Sequence, residues 1–223
     1  MSNLTIEQYV AWLRKHSACA EAVAWCKSRA DFAACYRKCQ RPDWLLWLLV
    51  HAGVLDDKRA RLFACWCVRY TPLADGRVVW DLLTNERSRM AVEVAERHAV
   101  GEATADELST ARSAARSAAR DAGWDAELVA AWSATQDRRF RAAWYAASDA
   151  ADAAWYAAEV SGDEHARSAQ SVRSAAEIVQ CDRIREVWTV GEVADAITKA
   201  MRGERTMITG EYNANGYMVS RDG

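Results

Sequence analysis

Proline and glycine are scarce, two and ten in 223 residues. A turn-rich β fold would need more of both, so their scarcity favours long helices. No run reaches ~18 uninterrupted apolar residues, which argues against a membrane-spanning helix. The opening MSNLTIEQ lacks the basic-then-apolar layout of a secretory leader. An excess of one charge is also missing: 29 basic and 31 acidic residues leave a net charge of −2. Binders of nucleic acid or of anionic membranes usually carry a basic surplus, so neither partner is expected.

Recognisable catalytic patterns are missing too. No Walker-type GxxxxGK loop, GxGxxG turn or HExxH pair occurs. The four histidines (His16, His51, His98 and His165) are scattered. No Ser/His/Asp or Cys/His set can be assembled from spacing. No catalytic residue, cofactor or metal is therefore expected. Seven cysteines, an odd number placed largely among apolar residues, point to buried thiols in a reduced, cytoplasmic compartment. Cys35 and Cys39 share a helical face, with Cys26 and His51 elsewhere, but zinc would require four such ligands and a CxxC-type knuckle. Cys65 and Cys67, two apart, diverge on a helix.

Tryptophan and alanine are plentiful. The most apolar stretch is RPDWLLWLLVHAG, Arg41 to Gly53. Pro42 suits a first helical turn and Gly53 a left-handed stop. Trp44, Leu45, Trp47, Leu48, Leu49 and Ala52 surround the axis, which predicts a central helix buried nearly all round. Asp43 in its first turn opposes the positive end of the dipole, and His51 at its last turn favours an imidazolium.

Other helices announce themselves by their ends. Thr5 with Gln8, and Thr104 with Glu107, form capping boxes; Thr189 with Glu192 caps a later helix. Asp31 and Asp56 suit N-caps. Further helices are expected over about 18–27, 85–100 and 165–188. Thr71 to Trp80, with Pro72 and Asp75-Gly76, reads as the longest irregular connection of the first half.

From Thr104 alanine dominates for about 55 residues, and alanine has the highest helix propensity. Gly123 and Gly162 look like the breaks that fold this tract into hairpins. Within it AAWYAASDAAD (Ala142 to Asp152) is followed at once by AAWYAAEVSGD (Ala153 to Asp163). Eleven residues are about three helical turns, so Trp144 and Trp155 share a face, as do Tyr145 and Tyr156. Alanine lets helices approach closely, and the rings are expected to plug the remaining space. Beyond Gly203, β-branched and aromatic residues flank Asn215-Gly216, which suits a hairpin or a disordered end.

Arg112, Arg116 and Arg120 recur at four-residue spacing, and Arg138, Arg139 and Arg141 form a second cluster. Such rows can bind phosphate or carboxylate; the plainer reading is a solvated face offset by Asp121, Asp125, Asp137 and Asp149.

Several segments taken in order resemble a bacterial and phage family of immunity proteins. They are Trp25-Cys26, Phe32 to Cys39, PDWLLWLL (Pro42 to Leu49), RLFACWCVR (Arg61 to Arg69) and ERSRMAVEVAERHAVGEATADEL (Glu86 to Leu108). The AAWYAA tract and VQCDRIREVW (Val179 to Trp188) complete the set. The resemblance spans about residues 20 to 188. It implies an all-helical intracellular protein of a bacterium or bacteriophage that holds a toxin or effector in an inactive complex. It brings no catalytic residues.

The expected fold is all-α, about ten helices in a single domain over 1–202, with a Trp-rich half 1–101, an Ala-rich half 102–202 and a tail 203–223. Three functions follow. The first is neutralisation of a toxin or defence component by a non-enzymatic binder, with Arg138, Arg139, Tyr212 and Tyr217 as partner contacts. The second is sequestration of a small anion or nucleotide by Arg112, Arg116, Arg120, Asp43 and His51. The third, an enzyme, would require a pocket joining His51 or a cysteine to an acid. An alanine-and-aromatic face could also close a homo-oligomer.

Overall fold

The computed structural model describes residues 4–123, 125–136, 138–161 and 169–204, together with the backbone of 211–212 and 218–219. Among these residues the fold is all-α. Twelve helices run in order: α1 Ile6–Lys15, α2 Ala20–Lys27, α3 Phe32–Lys38, α4 Pro42–His51, α5 Asp57–Tyr70, α6 Val79–Leu82, α7 Glu86–Ala99, α8 Ala105–Asp121, α9 Ala126–Ser133, α10 Arg139–Ser161, α11 Ala169–Val187 and α12 Val190–Met201. Two short strands, β1 Glu211–Tyr212 and β2 Met218–Val219, pair antiparallel with Tyr212 opposite Met218. Asn215-Gly216 and Gly162 lie outside the described residues. Among the described residues, no helix is long and apolar enough to cross a membrane.

The helix ends follow the local chemistry. Thr5 accepts from the Gln8 amide, and the Gln8 side chain accepts from the Thr5 amide at 3.0 Å. Thr104 and Glu107 repeat the exchange at 3.2 and 2.7 Å. Asp31, Asp56 and Thr189 cap α3, α5 and α12. Gly53, Gly101 and Gly123 take the positive φ that their stops require. Thr104→Ala should lower stability by ~1 kcal/mol in urea unfolding, the usual worth of an N-cap.

The chain gathers into two compact units, and their boundary differs from the halves 1–101 and 102–202. The first joins residues 1–55 to residues 184–223; the second is continuous, 56–183. In the first unit α1 packs on α2 and α12 on α3. The last turn of α11 and the residue after it bond to this unit's other segments. Trp188 is fully buried, its Nε1 donates to the Val54 carbonyl at 3.1 Å, and its own carbonyl accepts from the Tyr36 hydroxyl at 2.6 Å. Arg185 donates to the carbonyls of Tyr36 and Cys39 at the end of α3.

Helix α4 is buried through Pro42, Leu45, Leu46, Leu48, Leu49 and Val50. Its two indoles are only half-buried and stand in ring contacts instead: Trp44 edge-on to Trp25 at 6.0 Å, and Trp47 edge-on to Trp12 at 6.1 Å. The shorter aliphatic side chains hold the core of this helix.

In the second unit α10 packs chiefly on α9 and α5, α7 on α8 and α5, and α8 on α9. Alanines 142, 143, 146, 147, 150, 151, 153, 154 and 158 form the buried side of α10. Gln180 is buried between α5 and α10, donating to Thr71 Oγ1 at 3.2 Å and to the Ala147 carbonyl at 2.9 Å. The connection 71–80 is less irregular than its proline and glycine suggest. Pro72 bridges Val78, and a single turn, α6, follows.

Candidate functional site

The alanine tract breaks where no glycine or proline marks it, between α9 and α10. Thr135 donates its hydroxyl to the Trp132 carbonyl at 2.5 Å, diverting the chain from the helical pattern. Arginines gather at this helix end, where the exposed carbonyls favour cations. Arg61 of α5, buried, donates to the Ala134 carbonyl at 3.3 Å. Arg112 of α8 donates to Gln136 Oε1 at 3.0 Å, and the Arg116 guanidinium lies 5.8 Å from the centre of the Trp132 ring.

Ser133, in the same turn, donates to Asp149 Oδ2 at 2.6 Å. Burial pushes the Asp149 carboxyl up to about 6; the Ser133 hydrogen bond opposes this, and the charge of Asp152 adds to it. Asp152 in turn pairs with Arg173 of α11, which also holds Glu177 at 3.1 Å. Asp149 is thus a partly buried carboxyl bonded to Ser133 rather than a fully solvated counter-charge.

Asp149 and Asp152 belong to a longer stripe. Tyr145, Asp149, Asp152, Tyr156 and Val160 recur at four, three, four and four residues, one face of α10. Tyr145 is 40 % exposed, Tyr156 52 % and Val160 85 %. The expectation that the repeated rings fill inter-helix space is corrected for the tyrosines: the alanines supply the close-packed side, and the tyrosines face out. Trp144 and Trp155 are half-buried, Trp144 against Phe140 at 5.1 Å and Trp155 against Tyr156 at 4.5 Å.

The proposed ligand residues fall in different units. Arg112 is half-buried and engaged, while Arg116 and Arg120 are exposed on α8. Asp43 and His51 belong to the first unit. Asp43 accepts two hydrogen bonds from Arg41, at 2.9 and 2.6 Å, and Arg41 also lies over Trp44 at 4.8 Å. His51 stacks on Trp47 at 3.9 Å, donates Nδ1–H to the Trp47 carbonyl at 2.8 Å, and meets His16 edge-on at 5.8 Å.

Burial holds both imidazoles below the ordinary value, and His51 adds its charge against His16. The imidazolium expected from the helix dipole at His51 is therefore not the favoured form; desolvation outweighs the terminal carbonyls. Of the partner residues, Arg138 is exposed just ahead of α10. For Arg139 and Tyr212 only the backbone is described, and Tyr217 lies outside the described residues.

All seven cysteines are thiols, and only Cys19 is exposed. Among the described residues no three His, Cys, Asp or Glu side chains are grouped as metal ligands. Cys65 and Cys67 are buried separately, Cys65 with its thiol toward the Val92 carbonyl at 3.8 Å.

No match ties this architecture to a known protein. Neither a family model, nor a curated protein, nor a solved structure matches the chain. The outward stripe of α10 was half legible from sequence: the eleven-residue period places the tyrosines together but does not say which way they face.

Proposed function

We propose that the protein is a non-enzymatic binder that neutralises a toxin or defence component by forming a complex with it. One observation carries the reading: the AAWYAA repeat sets Tyr145 and Tyr156 on one exposed face of a 23-residue helix, with Val160 beyond them. Tyrosine combines a large apolar ring with a hydroxyl at low conformational cost and is enriched among binding hot spots. The resemblance to immunity proteins supports the same class of function.

Photo-crosslinking from position 156 in the native host should trap one protein. That protein, purified and mixed with this chain, should form a complex weakened ~30-fold or more by Tyr156→Ala, the loss of a hot-spot residue. Recovery of no stable partner, or a complex indifferent to both tyrosines, overturns the proposal.

Sequestration of a small anion or nucleotide is a second reading, favoured by Arg116 lying over the Trp132 indole. It requires saturable nucleotide binding in a thermal-shift screen, weakened by Arg116→Ala.

A further inference from the structure

In the first unit two thiols from different helices meet. Cys26 ends α2 and Cys35 lies on α3, joined by a short turn that contains Arg29 and the N-cap Asp31. The Cys35 thiol donates to the Cys26 carbonyl at 3.6 Å, which brings the two thiols near enough to shift each other's ionisation. Arg29, stacked on Trp25 at 4.3 Å, lies beside both sulfurs. Its Nε is buried and has no hydrogen-bond acceptor among the described residues. The third thiol nearby is occupied elsewhere: Cys39 is directed to the Arg41 carbonyl at 3.5 Å, and burial pushes it up to about 11.

We infer that Cys26 and Cys35 are a reversible disulfide site that staples α2 to α3, with hydrogen peroxide as the oxidant. The neighbouring Cys26 thiol, aided by Arg29, holds Cys35 below the ordinary thiol value. The same proximity, with burial, pushes Cys26 up. Cys35 is therefore the attacking thiolate. It attacks one peroxide oxygen, the O–O bond breaks, and hydroxide leaves and is protonated to water, giving a sulfenic acid at Cys35. The Cys26 sulfur then attacks the sulfenic sulfur; the S–S bond forms, the S–O bond breaks, and a second water carries off the Cys26 proton. Two thiols and one peroxide become one disulfide and two waters. With Cys35 Sγ only 3.6 Å from the Cys26 carbonyl oxygen, the two residues are near enough to be bridged at the ~2.05 Å covalent distance. At 5 % and 2 % exposure, Cys26 and Cys35 are closed to a bulky disulfide oxidant, which is why the proposed oxidant is a small one.

The test is peroxide treatment of the purified full chain, followed by intact mass and peptide mapping. The expected result is loss of two hydrogens per chain, reversed by dithiothreitol, with the linked peptide joining Cys26 to Cys35. Cys39→Ser should leave this unchanged. Cys26→Ser should stop at a sulfenic acid on Cys35, captured by dimedone. No two-hydrogen loss, a link between other cysteines, or overoxidation without a link overturns the inference. Circular dichroism confirms that each variant folds, and the wild-type mapping decides the matter should one fail to.

Discussion

Trp188→Ala is expected to cost ~3–5 kcal/mol, the usual loss when a buried tryptophan is cut back to alanine. The indole is fully enclosed, and its Nε1 is bonded to the Val54 carbonyl at 3.1 Å. Removing it opens a cavity and takes away the indole hydrogen bond to Val54. Tyr36→Phe removes one hydroxyl from the same junction and should cost only ~1 kcal/mol, because the ring stays and a single hydrogen bond is lost. Urea unfolding measures both. A Trp188→Ala chain within 1 kcal/mol of wild type would show that this junction does not anchor the first unit.

Asp149→Asn should raise stability near pH 8 by up to about 3 kcal/mol, the free energy of moving a carboxyl from 3.8 to about 6. The amide oxygen can still accept from Ser133, while the penalty of a buried charge disappears. Because the folded value lies above the unfolded one, the wild-type stabilisation is complete below pH ~4 and is lost as pH rises through about 6. Asp149→Asn should flatten this slope.

His16 and His51 act in the opposite sense. Their folded values lie below the ordinary 6.5, so the stability they confer is present above that pH and is lost as pH falls below it. Acidification from pH 7 to 4 should therefore weaken the first unit and strengthen the second. Hydrogen exchange resolved by residue would detect this divergence. Uniform loss of protection in 56–183 over the same range would contradict the assignment for Asp149.

Signals confined to neighbouring residues were legible in the sequence. Thr104 and Glu107, three apart, complete their own cap, and Gly53, Gly101 and Gly123 stop helices through their own backbone freedom. What depended on distant parts of the chain was not. The break after Ser133 is held by Arg61, 73 residues away from the carbonyl it meets. The period that unites Tyr145 with Tyr156 is a property of any helix; their outward direction depends on α5 and α9 covering the alanine side. His51 is held below the ordinary imidazole value by burial against Trp47 and His16, which its place at a helix end does not foretell. The Cys26–Cys35 contact arises from the way α2 and α3 fold back, which neither helix encodes alone.

The two units also differ in when they can be completed during synthesis. Residues 56–183 emerge as one uninterrupted stretch, so that unit has all its parts as soon as its last helix leaves the ribosome. Residues 1–55 emerge before that stretch yet lack Arg185 and Trp188, which bond the end of α3 and the turn after α4. Residues 1–55 must therefore wait for residues 185 and 188 before the end of α3 and the turn after α4 are closed. A nascent chain stalled before residue 184 should accordingly remain protease-sensitive over its first 55 residues while the stretch behind it resists cleavage.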